Sequence, residues 1–141
     1  VWVADTAAYF AGRAFGRHKL APKVSPGKTR EGVAGALAGT LLLAIVLAPM
    51  PWTSQANPAG NLFSFLVLHL GWAVTLIVVV MITLISVTGD LYESLLKRLA
   101  NVKDSGSLLP GHGGVLDRVD ALIAVFPVTM GIVSLIQSGA F

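Results

Sequence analysis

Asp90, Ser94 and Lys97 recur at i, i+4 and i+7, which places a carboxylate, a hydroxyl and an ammonium on one face of a helix. Groups in that line suit a ligand made of a metal ion and phosphate oxygens. Glu93 and Lys97 are spaced for an i,i+4 ion pair. Further along, Asp117 and Asp120 share a face at i, i+3 in a helical segment. Donors that are all oxygen suit Mg²⁺, which takes a few carboxylates together with substrate phosphates. Between the two groups, residues 106–114 hold four glycines and a proline, a loop whose backbone N–H groups can approach an anion closely. His112 lies between glycines, so its ring is accessible, but no second His stands at helical spacing to join it as a metal ligand.

Each feature also has a plainer explanation. A helix end with flanking cations that snorkel is common. Carboxylates near a helix N-terminus are favoured by the dipole. Against these stands position: Asp90 and Asp117 border long apolar stretches, where ionised groups usually mark function.

A second charged window covers residues 1–31. Lys28 and Arg30 precede an apolar stretch, Thr29 is an expected N-cap and Glu31 falls in the first helical turn. The run Gly27-Lys28-Thr29 is not a phosphate-binding P-loop, because Pro22 stands where that pattern needs glycine and no buried strand precedes it. Pro22 and Pro26 predict an extended turn. Six cations here suit either non-specific attraction to anionic lipid or an electropositive bay for a phosphate-bearing substrate.

The elements that must position these groups follow from where charge is missing. Of 141 residues 55% are hydrophobic and 12% charged, about half the usual charged share of a soluble domain. Residues 1–31 hold six basic and two acidic side chains, and residues 90–120 hold four basic and five acidic ones, which accounts for all of them. Residues 32–89 are therefore 58 consecutive positions without formal charge. A soluble fold cannot cover its surface from such a composition. The net charge of +3 is spread between membrane-flanking windows, which does not point to nucleic acid. Without cysteine, disulfide scaffolds, thiol catalysis and cysteine-based metal centres are excluded.

The expected architecture is an all-α, polytopic membrane bundle with polar catalytic loops on one face. A bilayer core is about 30 Å thick and needs roughly 20 apolar residues per helix. Spans are expected at about 32–48, 62–88 and 121–137, with residues 1–12 ending an earlier span. Starting at Val1 inside an apolar stretch, the chain reads as a single membrane-embedded catalytic domain, the C-terminal part of a longer protein. Two crossings return the chain to its starting side, so both charged windows share a face, which the positive-inside rule makes cytoplasmic. Gly35 and Gly39 form a GxxxG ridge for close helix contact, within the chain or as a dimer seam. His69 is expected to be a packed, hydrogen-bonded histidine.

At this point the pattern becomes specific. Ser94-Leu-Leu-Lys97-Arg98, then Lys103-Asp104, then Pro110-Gly-His112-Gly113-Gly114-Val-Leu-Asp117-Arg118-Val-Asp120 resembles the 27-residue signature of the phosphatidate cytidylyltransferases, or CDP-diacylglycerol synthases. Asp5-Thr6-Ala7-Ala8-Tyr9 and Ser25-Pro26-Gly27-Lys28-Thr29-Arg30-Glu31-Gly32 look like further elements of that family. Together the matching regions cover about 60 of the 141 residues.

The resemblance implies CMP transfer from CTP to phosphatidate at the inner (plasma) membrane, giving CDP-diacylglycerol and pyrophosphate. It implies Mg²⁺ on Asp90 and Asp117, with Asp120 as a weaker ligand, and a second cation would make a two-metal site. Lys97, Arg98, Lys103 and Arg118 become phosphate clamps, and Ser94 a hydrogen-bond partner of a phosphate oxygen. Lys28 and Arg30 approach from the other window, Asp5 orients a cation or its water, and Asp104, His112, Gly113 and Gly114 shape the substrate loop. The nearest alternative is a CTP-dependent polyprenol kinase; a transporter would need more polar residues in its spans than Thr, Ser and His69.

Overall fold

The computed structural model describes residues 1–22, 24–50, 60–100, 102 and 116–139, with the side chains of 116–118 left out. It is mostly helical, with four helices and one small hairpin among the described residues: α1 (Trp2–Phe15), β1 (Lys19–Ala21), β2 (Ser25–Thr29), α2 (Arg30–Leu47), α3 (Leu62–Leu99) and α4 (Leu116–Gln137). Three segments are long and apolar enough to cross a membrane: Arg30–Leu47, Leu62–Leu99 and Val119–Gln137. The expected all-α membrane class holds, and the three spans fall where the charge-free stretches put them.

Three elements differ from expectation. The expected extended turn is an antiparallel hairpin, with Lys19 opposite Thr29 and Ala21 opposite Ser25. Pro22 sits in its turn and Pro26 in a two-stranded ribbon, where a missing N–H costs no central ladder bond. The first helix runs on to Phe15, beyond the expected end at residue 12. As the spacing of Asp90, Ser94 and Lys97 implies, helix α3 continues past Thr88 to Leu99, so its last three turns carry the polar groups out of the apolar stretch. It is also bent at Gly71, whose φ of 77° and ψ of 168° suit glycine and break the helical run.

Packing follows chain order, α1 on α2, α2 on α3 and α3 on α4. Small residues permit it. A Cβ at Gly35 would lie 2.3 Å from the Ala11 Cβ, and one at Gly39 would lie 2.7 Å from that of Ala7, so the GxxxG ridge is used within the chain to seat α1. The hydroxyls of Thr40 and Thr83 lie 3.0 Å apart and link α2 to α3. At the other end of this pair, Asn61 caps α3 by accepting the Ser64 N–H at 3.0 Å and donates to the Leu47 carbonyl at 2.8 Å. The Ser64 hydroxyl donates to the Ala48 carbonyl at 2.8 Å, so two carbonyls at the end of α2 are satisfied by side chains from α3.

His69 is hydrogen-bonded as expected, its Nδ1 lying 2.8 Å from the Phe65 carbonyl, but it is exposed on the helix rather than packed inside the bundle. Residue 69 lies two positions before the Gly71 bend, on a stretch of α3 whose face is not covered within the chain.

Candidate functional site

Helices α3 and α4 bring three carboxylates together at their polar ends. One oxygen from each of Asp90, Glu93 and Asp120 lies within 4.8 Å of the others. Asp90 and Glu93 are i, i+3 on α3, whereas Asp120 arrives from the first turns of α4. The approach depends on Gly89, where a Cβ would lie 2.6 Å from the Ala124 Cβ. Any larger residue at 89 would push α4, and Asp120 with it, away from α3.

Two ammonium groups flank the carboxylates. Lys28, on β2, forms an ion pair with Asp90. Lys97, one turn beyond Glu93, pairs with it at 2.8 Å in the i,i+4 arrangement. Asp5, on α1, lines the same space as Asp90 and Asp120. Four carboxylates therefore face two lysine side chains among the described residues, an arrangement that favours a cation.

The hairpin closes the site from one side, and its seating is local chemistry. Thr29 is the N-cap of α2, its Oγ1 accepting the Gly32 N–H at 3.0 Å. Glu31, in the first turn of α2, lies 2.8 Å from His18 Nδ1 and accepts the His18 backbone N–H at 3.2 Å. Arg98, at the end of α3, reaches across to donate from Nε to the Val24 carbonyl at 3.4 Å.

A cavity borders the carboxylates, and a second lies among the helices away from them. One, of about 420 Å³, lies between α1, the hairpin and α2 and ends on Asp5, Lys28 and Asp90. The other, of about 540 Å³, is apolar and lies lower in the bundle among α1, α2, α3 and α4, with Leu66, Val79 and Phe126 in its wall.

Of the residues expected from the sequence, Asp90, Asp120, Lys97 and Lys28 come together here. Ser94 is half-buried on α3, and Arg30 is exposed at the start of α2. Arg98 meets a backbone carbonyl of the hairpin. Asp117 and Arg118 belong to α4, with side chains outside the described residues, and Lys103, Asp104, His112, Gly113 and Gly114 lie outside them altogether. Two further positions belong to the site. The spacing of Glu93 to Lys97 points to an ion pair, but its i, i+3 spacing from Asp90 also puts it among the carboxylates. Only the contact of Gly89 with α4 shows why that residue is small.

Residues 1–136 match the cytidylyltransferase family. Relatives called phosphatidate cytidylyltransferase are 49% identical over 127 residues in Haemophilus influenzae, 44% over 128 in Pseudomonas aeruginosa and 40% over 127 in Staphylococcus epidermidis. These alignments cover 90%, 91% and 90% of this chain but 40%, 42% and 43% of the relatives, so the chain spans about two-fifths of their length. A match over nearly its whole length, running through both charged windows and all three apolar spans, makes this chain a member of the cytidylyltransferase family.

Proposed function

We propose that the chain forms the catalytic part of a membrane enzyme that transfers CMP from CTP to phosphatidate, with its polar face in the cytoplasm of a cell bounded by the inner (plasma) membrane. The observation that carries this reading is the meeting of Asp90, Glu93 and Asp120 at the polar ends of apolar helices. An amphiphilic substrate keeps its acyl chains in hydrocarbon there while its phosphate reaches polar groups. The names of the relatives supply the substrate pair.

The donor set fits a hard divalent cation: all donors are oxygens, and carboxylates outnumber the lysines around them. Asp90, Asp120 and Glu93 would hold Mg²⁺, with Asp117 from the same turn of α4 as a further ligand. Bound there, the ion supplies charge neutralisation for phosphates. In the reaction an oxygen of the lipid phosphate bonds to the α-phosphorus of CTP. The bond from that phosphorus to the bridging oxygen breaks, and its electron pair leaves on pyrophosphate. The attacking oxygen is already anionic at neutral pH, so no side chain has to take a proton from it. What the chain must do is hold two polyanions in line against their repulsion. Lys97, kept beside the carboxylates by Glu93, presents a fixed ammonium to them. Arg98, Lys103 and Arg118 add cations, and Ser94 offers a hydroxyl from the same helix.

The test is transfer of label from CTP labelled at the α-phosphorus into phosphatidate, in mixed micelles with Mg²⁺ and the full-length protein. Labelled lipid with release of pyrophosphate is expected. Unlabelled lipid, with label from γ-labelled CTP appearing in a polyprenol instead, would replace this reading with a lipid kinase.

A further inference from the structure

We propose that the cavity between α1 and the hairpin receives the triphosphate of the nucleotide, and that Lys28 couples this binding to cation binding by exchanging Asp90 for a phosphate. The inference rests on the nucleotidyl-transfer reading above and adds where one substrate sits and what links it to the cation.

At about 420 Å³ the cavity is within the ordinary size of small-ligand sites, roughly 300–1,000 Å³. Arg13, Lys19 and Lys28 all line it, together with Asp5 and Asp90, and Asp90 also belongs to the carboxylate cluster. The Tyr9 hydroxyl lies 3.2 Å from Arg13 Nη1, accepting its N–H, which orients the guanidinium along the wall. Three cations in a cavity that shares Asp90 with the carboxylate cluster match a chain of phosphates that must place one phosphorus at the metal. The apolar part of the lining is Ala, Val and glycine, too short-walled to cradle an acyl chain, while the larger apolar cavity lies elsewhere in the bundle.

Lys28 connects the two functions because it and a cation draw on the same carboxylate. Its ammonium pairs with Asp90, one of the three clustered carboxylates. A divalent cation on that cluster repels the ammonium, and a phosphate in the cavity gives it a new partner. Competition of this kind is reciprocal, so anything that removes Lys28 from Asp90 strengthens cation binding.

Binding is measured on the full-length protein in detergent, without lipid, using Mn²⁺ followed by electron paramagnetic resonance and α-labelled CTP with Mg²⁺. Lys28→Met is expected to bind Mn²⁺ at least about 5-fold more tightly than wild type while binding CTP more weakly. Arg13→Met and Lys19→Met are expected to lose about 10-fold in CTP affinity with Mn²⁺ affinity unchanged. A Cβ at Gly27 meets nothing within 4 Å, so Gly27→Leu adds bulk at the cavity without disturbing packing and is expected to weaken CTP alone. All these variants keep wild-type affinity for dioctanoyl phosphatidate. Wild-type CTP affinity in Arg13→Met and Gly27→Leu, a loss confined to phosphatidate, or unchanged Mn²⁺ affinity in Lys28→Met would each overturn the proposal. A wild-type protein that binds neither Mn²⁺ nor CTP would instead overturn the nucleotidyl-transfer reading beneath it.

Discussion

Residues 90–120 contribute carboxylates from two long helices, whereas residues 1–31 contribute cations from a short helix and a two-stranded hairpin. The two windows meet at the Lys28–Asp90 pair, yet they are held by different means. In the carboxylate region the side chains ride on spans fixed by helix packing, and one glycine contact, Gly89 on Ala124, sets the spacing. In the cationic region the backbone is held by a few polar bonds: the Thr29 cap, the His18–Glu31 pair and the Arg30 N–H donated to the His18 carbonyl at 3.0 Å. The contrast teaches that rigid helices carry the groups whose separation must be fixed. The groups that exchange partners sit on the more lightly tethered hairpin.

If that division is right, the largest effects come from the carboxylates. Asp90→Asn or Asp120→Asn is expected to lower CMP transfer by about 10²–10³-fold or more. Unchanged circular dichroism and elution in detergent would show that the loss is chemical rather than structural. Gly89→Leu sharpens the comparison, because it leaves every charged group in place and alters only their spacing. A displacement of about 1 Å is enough to cost roughly 10²-fold in rate. The double variant Gly89→Ala with Ala124→Gly is expected to recover most of the activity, since the contact at 2.6 Å is between those two Cβ positions. Smaller still is Thr83→Val, which removes the 3.0 Å contact with Thr40 and is expected to cost about 0.6 kcal/mol of bundle stability, read from the unfolding midpoint in detergent.

The smallest effect lies in the hairpin. Glu31→Gln removes the carboxylate that accepts the His18 N–H at 3.2 Å, and a spin label on Ser25 is expected to be more mobile in that variant than in wild type.

The apolar helices were legible because absence of charge over 58 residues has one main physical explanation, and α2 begins within a few residues of the charge boundary. The N-cap at Thr29 was equally readable, being a local matter of one hydroxyl and one N–H. The hairpin was not, since strands of three and five residues carry no strong period and are placed by bonds to α2 and to Arg98 on α3. The bend at Gly71 escaped for a related reason: a glycine in a long apolar run is compatible with a straight helix. For the site, residue types and helical spacing made Asp90, Asp120 and Lys97 visible. Glu93 became a candidate ligand only when α4 brought Asp120 beside it, a contact between residues far apart in sequence.

The most direct test titrates Mn²⁺ into the full-length wild-type and Asp120→Asn proteins, following bound metal by paramagnetic resonance and α-label transfer into phosphatidate in the same samples. Bound Mn²⁺ and labelled lipid should rise together in wild type and both be lost in Asp120→Asn. Label transfer that persists in Asp120→Asn without bound Mn²⁺ would contradict the assignment of the carboxylate cluster as the catalytic cation site.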